Sequence, residues 1–262
     1  MKEISNNLDQ SKLYQQMKEL ADVTGKLITR YYLQGVAVET KADQSPVTAA
    51  DREAEQLMRK MIKAWYPNHG IIGEEFGNEN TDAEYVWILD PIDGTKSFVS
   101  HVPLFGTLIG LLHKGEPVAG IINNPILEQF YFGDGKKAFL NDKPIHCSKC
   151  RKIGDAVMCT SDPLNPAKYQ SKSGFEKLAH SVKVYRTWGD CYGYGLLASG
   201  QIDIMIDPVM NPWDSLPLIP ILRGAGVTVT DYHGNDPVKH PESMAAAAPG
   251  IHKEVIAMLN RE

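Results

Sequence analysis

Tyr85-Val86-Trp87-Ile88-Leu89-Asp90-Pro91-Ile92-Asp93-Gly94-Thr95-Lys96-Ser97-Phe98 is the most informative run in this chain of 262 residues. Five apolar residues in a row have the pattern of a buried strand. The strand ends directly in a carboxylate, Asp90, and a second carboxylate, Asp93, follows across a Pro-containing turn. Gly94 permits close backbone approach, and Thr95 is placed to open a helix. Two carboxylates beside free backbone N–H groups suit a hard divalent cation that shares its shell with a phosphate. A helix N-terminus offers donors and a favourable dipole to the same phosphate. Asp and Gly are also ordinary turn residues, and Asp93 is equally able to cap whatever follows.

Two further acidic sites shift the balance toward chemistry. Ile71-Ile72-Gly73 is a short apolar run leading into Glu74 and Glu75, and Trp213-Asp214 precedes the apolar segment 216–222. Singly, Glu74 reads as solvated and Asp214 as a helix N-cap. Together with Asp90 and Asp93 they make four to five carboxylates, each at the edge of an element. Upstream, Ala50, Ala54, Leu57, Met58, Met61, Ile62 and Trp65 form a helical stripe. Thr48 is its expected N-cap, with Asp51 in the first turn. The charged residues at 52, 53, 55, 59, 60 and 63 fall mostly on the opposite face.

The rest of the chain frames this core. Hydrophobic residues make up 43% and charged residues 23%, the balance of an ordinary globular protein. A net charge of -5 gives no general attraction to nucleic acid or anionic membrane, and no basic run marks a nucleic-acid surface. No apolar run approaches the roughly 18 residues of a membrane span, and residues 1–7 lack the apolar core of a leader. Four cysteines do not make a disulfide scaffold, so a reducing cytoplasm is expected. Cys147-Ser148-Lys149-Cys150 stands alone, without the second ligand pair that a zinc site needs.

A first helix is predicted around Leu13–Tyr31, with Gly35 as its stop. Strands are predicted at 107–112, 117–122 and 129–132, the first two joined by a hairpin at Lys114-Gly115-Glu116. Beyond about residue 146, strands at 156–160, 182–186, 202–206 and 227–230 alternate with helical stretches, as in a layered α/β half. That suggests two halves, 1–146 and 147–262. The run Ala245–Ala248 is too short to count as a biased tract. Pro217 and Pro220 predict a kink or a delayed helix start after Asp214.

Taken in chain order, Pro46-Val47-Thr48 through Asp51, Gly73-Glu74-Glu75, Asp90 to Thr95, and Trp213-Asp214 followed by Gly224-Ala225-Gly226 resemble the inositol monophosphatase family of Mg²⁺-dependent phosphomonoesterases. The resemblance implies a layered αβαβα sandwich (α/β, α+β) with the site between the two halves. It implies that Glu74, Asp90 and the Ile92 carbonyl hold one Mg²⁺, and that Asp90 bridges to a second shared with Asp93 and Asp214. A third, weaker ion near Glu74 is typical, making two to three in all. Gly94 and Thr95 would offer backbone N–H groups to the phosphate, while Asp51 and Thr95 would pair and help activate the attacking water. A homodimer is the common assembly.

Within the family, 93–98, 105–109 and Gly189-Asp190-Cys191-Tyr192-Gly193-Tyr194 resemble the histidinol-phosphate phosphatase branch; inositol-type members commonly carry Asn where this chain has Ser97. Asp190 and Asp207 are acidic candidates for the ammonium or imidazole of such a substrate. Asp190 also fits a helix N-cap, and Tyr192 and Tyr194 fit interior packing. An inositol or broad sugar phosphatase, a nucleotide 3′-phosphatase, and a regulatory binding protein retaining the fold are the other readings.

Overall fold

The structure is a computed structural model describing residues 9–35, 38–40 and 46–260. The N-terminal residues read above for a leader lie outside this set. Chain order begins with α1 (Gln10–Gln34), β1 (Val38–Thr40), β2 (Pro46–Thr48) and α2 (Ala49–Trp65). The strands β3 (Gly70–Gly73), β4 (Gly77–Glu79) and β5 (Tyr85–Asp93) follow, then the short helix α3 (Thr95–Val99). Next come β6 (Gly106–His113), β7 (Glu116–Asn124), β8 (Gln129–Gly133), β9 (Ala138–Leu140) and β10 (Lys143–Pro144). The second part runs β11 (Val157–Cys159), α4 (Asn165–Tyr169), α5 (Lys172–Ser181), β12 (Val184–Arg186), α6 (Asp190–Ala198) and β13 (Ile204–Asp207). It closes with α7 (Pro212–Ser215), α8 (Leu218–Gly224), β14 (Thr228–Thr230), β15 (Met244–Ala247) and α9 (His252–Leu259).

Strands β3 to β10 form one sheet in the order β10-β9-β8-β7-β6-β5-β3-β4; β11 to β15 form a second in the order β12-β11-β13-β15-β14. Both faces of β5 are covered, which is why its sequence is apolar throughout rather than alternating. Tyr85, Trp87 and Leu89 pack toward α1 and α2, with Leu20 and Met58; Val86 and Ile88 pack the other way, with Leu197, Leu218 and Met205. Helices α6 and α8 fill the space between the sheets, and α5 and α9 cover the outer face of the second. The layers are therefore α, β, α, β, α, the sandwich expected from the sequence.

Local readings hold where the signal is local. Thr48 caps α2 in a capping box with Asp51, Gly35 ends α1 at positive φ, and Lys114-Gly115 turns the β6–β7 hairpin. After Asp214 the chain makes one turn as α7, breaks at Leu216-Pro217 and restarts as α8, as its prolines predict. In α8, Pro220 falls in the first turn, where no intrahelical N–H bond is lost. The alanine run 245–248, for which no element was predicted, lies largely in β15, paired antiparallel on both sides between β13 and β14 and fully buried. The second sheet is thus mixed rather than parallel.

Candidate active site

Asp90 and Asp93 are not separated by a turn, as their sequence suggested. They lie on one continuous strand with a bulge between them: Asp90 pairs with Leu108 and Asp93 with Gly106, so Pro91 and Ile92 together oppose only Thr107. The Thr107 hydroxyl donates to the Pro91 carbonyl at 2.8 Å and pins the bulge. Residues three apart on a regular strand point to opposite faces; one extra residue restores the parity and turns both carboxylates to the same side. That side faces α7. Carboxylate oxygens of Asp90, Asp93 and Asp214 all lie within 4.8 Å of one another.

Asp214 is not an N-cap. It is the third residue of α7, and its Oδ2 accepts from the Asn211 N–H at 2.8 Å, closing a capping box from the far side. Asp93 accepts a hydrogen bond from the Cys191 N–H at the start of α6. Glu74, just past β3, lines the same cleft, which has a volume of about 480 Å³. Gly94, left-handed at φ 85°, precedes α3, and the cleft wall runs along Gly94, Thr95, Lys96 and Ser97.

Like charges and burial dominate the electrostatics of the cleft. Burial, then the charges of Glu74, Asp93 and Asp214, hold the Asp90 carboxyl well above the usual carboxylate range. Burial, then Asp190 and Asp214, do the same to Asp93. Burial pushes Asp214 up to about 7. Asp90 Oδ1 is buried and has no hydrogen-bond partner among the described residues. Leaving such an atom bare is costly, and an all-oxygen donor set of this kind fits a hard divalent cation. The residues therefore fit Mg²⁺ on their chemistry.

Three expected roles are redrawn. The Asp51–Thr95 pair does not form: Asp51 accepts from the Thr48 N–H (2.8 Å) and hydroxyl (2.6 Å), while the Thr95 hydroxyl donates to the Ile92 carbonyl at 3.0 Å. The capping geometry of α2 fixes Asp51 locally, and burial raises it to about 6. Asp207 reaches the cleft wall, but its carboxylate is taken up inside the protein by the Ser161 N–H and hydroxyl, the Thr160 hydroxyl and the Tyr194 phenol. Burial raises it to about 7. Asp190 is not an N-cap either; Gly189 occupies that place. The Asp190 backbone is left-handed (φ 51°), and its N–H donates to the Ser161 hydroxyl. Gly189 is required there, since a Cβ would stand 2.2 Å from the Ser161 Cα. Burial raises Asp190 to about 6, against the lowering influence of Lys96.

Two residues at or behind the cleft escaped the sequence reading. Asp162, in the loop before α4, lines the cleft, and nothing in its local pattern sets it apart from a turn residue. Glu55 was assigned to the solvent face of α2, yet it is fully buried. The i, i+4 pairing of Glu55 with Arg59 was its one available signal.

Comparison with known proteins agrees with this geometry. The model of the inositol monophosphatase family matches residues 9–262. A bifunctional phosphatase of Arabidopsis thaliana (IMPL2, chloroplastic) is 41% identical over 87% of this chain, which spans 66% of that protein, just under two thirds. A histidinol-phosphatase of Chlorobaculum parvum is 36% identical over 92% of this chain and 94% of its own length. Among solved structures, an inositol monophosphatase from Zymomonas mobilis superposes with a TM-score of 0.86 at 32% identity, covering 97% of this chain and all of that one.

Proposed function

Since the chain belongs to the inositol monophosphatase family and is a phosphatase, we propose that it hydrolyses a small phosphate monoester carrying positive charge on its leaving group, with L-histidinol phosphate as the substrate. The observation that carries this reading is the acid surplus of the cleft. Among the described residues its lining holds Glu74, Asp90, Asp93, Asp162, Asp190, Asp207 and Asp214 against one cation, Lys96. Glu74, Asp90, Asp93 and Asp214, with the Ile92 carbonyl, are the residues to hold two to three Mg²⁺ ions. Asp162 and Asp190 then remain in the cleft lining to meet an ammonium or imidazolium through charge-assisted hydrogen bonds. The likeness to a histidinol-phosphatase over nearly the whole chain supports the same choice.

Bound there, Mg²⁺ would supply charge neutralisation for the phosphate, a more acidic water and alignment of the leaving oxygen. The protein's own residues do the rest. The backbone N–H groups of Gly94 and Thr95 orient phosphate oxygens; those in the first turn of α3 have no intrahelical acceptor to compete. The Thr95 hydroxyl fixes the Ile92 carbonyl through the observed hydrogen bond. Asp51, held by Thr48 and close enough to feel the charge of Glu74, is the buried carboxylate behind the site and stands ready to take a proton. Asp190 orients the leaving group, with the Lys96 charge partly offsetting the burial that raises its carboxyl. Four free thiols suit a reducing cytoplasm.

Inositol 1-phosphate is the second reading, favoured by the likeness to the Zymomonas enzyme. The test is phosphate release with Mg²⁺ across histidinol phosphate, inositol 1-phosphate, fructose 1,6-bisphosphate and adenosine 3′,5′-bisphosphate. Histidinol phosphate should lead in kcat/KM, and EDTA should abolish turnover. Preference for a neutral or bisphosphate ester rejects the cationic reading; full turnover in EDTA rejects the metal-assisted one.

A further inference from the structure

The turn that delivers Glu74 to the cleft is held from behind by a buried ion pair with no part in the chemistry above. Glu55 lies one helical turn after Asp51 on α2 and has no exposed surface. Its Oε2 accepts from the Glu75 N–H at 2.8 Å, and its Oε1 accepts from the Phe76 N–H at 3.2 Å. These are the two residues that follow Glu74. Arg59, one turn further along α2, donates from Nε to Glu55 Oε1 at 2.8 Å and from its guanidinium to the Gly77 carbonyl. The main chain of all three residues after Glu74, 75 to 77, is thus tied to α2. On the near side, the Glu74 N–H donates to the Leu89 carbonyl of β5 at 3.2 Å. Gly73 clears the space: a Cβ there would come within 2.2 Å of Glu55 Oε1.

A buried carboxylate is tolerated only when paired and hydrogen-bonded. Glu55 meets both conditions, and it does so by holding main chain rather than solvent. We infer that Glu55, clamped by Arg59, is a positioning residue that fixes the main chain at Glu74 and so sets how tightly the cleft holds its divalent cation at the Glu74 end. The inference rests on the metal reading above. Partners that orient ligands are worth about 10- to 100-fold in metal affinity.

The test is Glu55→Gln, read by direct Mn²⁺ titration of the substrate-free protein, by water-proton relaxation or calorimetry, beside wild type. The amide keeps the shape, but its nitrogen cannot accept, so either the Glu75 N–H or both the Phe76 N–H and Arg59 Nε lose their acceptor. The expected result is a Mn²⁺ dissociation constant raised 10- to 100-fold. The Mg²⁺ concentration for half-maximal phosphate release should rise in parallel, with kcat at saturating Mg²⁺ within about threefold of wild type. Glu84→Gln removes an exposed carboxylate charge just before the Tyr85 end of β5, the end opposite Asp90, where Glu84 meets Lys114 at 3.2 Å, and should leave Mn²⁺ affinity unchanged. Unchanged affinity in Glu55→Gln, or an equal loss in Glu84→Gln, overturns the inference. Should Glu55→Gln not fold, Arg59→Lys keeps the charge and loses the two-pronged grip; it should weaken Mn²⁺ binding, and unchanged affinity there overturns the inference too. Wild type that binds no Mn²⁺ removes the metal reading itself, a different failure from wild type and variant binding alike.

Discussion

Oδ1 of Asp90, buried and without a partner, is the most exposing single atom for the proposed chemistry. Asp90→Asn should lower kcat by at least ~10³-fold, on the order of 4 kcal/mol of transition-state stabilisation. The same change removes a like charge from among Glu74, Asp93 and Asp214, so the melting temperature in EDTA should rise. Phosphate release at saturating Mg²⁺ and a thermal melt check the two halves; activity within tenfold of wild type would refute a bridging role. Specificity separates at the same scale. Asp190→Asn should cut kcat/KM for histidinol phosphate by roughly ten- to a hundredfold, the worth of one charge-assisted contact, and spare a small neutral ester. Asp207→Asn should instead lower both esters alike and lower the melting temperature, because its carboxylate is engaged by Ser161, Thr160 and Tyr194. A selective loss in Asp207→Asn would return the substrate contact to that residue.

At the level of elements, the sequence announced what short-range rules govern and concealed what depends on partners. Thr48 and Asp51 were legible as a cap because capping is settled within four residues. The metal-ligand candidates were legible as acids at element edges. The bulge was not, because it exists only against β6, where Thr107 stands opposite two residues. Glu55 was misplaced because helical periodicity reports a face, and its burial comes from the β3–β4 turn folding over α2. Strand β15 was missed because alanine has little strand preference; small side chains suit a strand enclosed by β13, β14 and the layers on either side. Ala246 packs on the side of Met205 and Leu222 with no exposed surface. Ala246→Leu should therefore destabilise by ~1–3 kcal/mol through overpacking, measured by denaturant unfolding. A neutral effect would mean that the middle layer has slack.

For the whole molecule, the acid cluster makes stability depend on pH in a definite direction. Burial first, then like charges, raise Asp214 to about 7, and burial chiefly raises Asp51 to about 6; both groups titrate near 3.8 when unfolded. The folded, metal-free protein thus binds more protons than the unfolded chain between about pH 4 and 7. Its stability from these groups is full below about pH 4 and is lost as pH rises through the folded values. A bound cation replaces those protons. The rise in melting temperature on adding Mg²⁺ should therefore grow from pH 5 to pH 8, measured as the difference from an EDTA sample at each pH. A difference that is flat or shrinks with pH would mean that the cation does not bind at this cluster. An ion that binds only the folded chain adds RT ln(1 + [Mg²⁺]/Kd), about 2.7 kcal/mol at a hundred times Kd and about 4.1 at a thousand. Catalysis levels off once the cleft is filled, but this logarithm does not. The melting point should keep climbing by a similar step with every decade of added Mg²⁺, through concentrations at which the rate of phosphate release no longer changes.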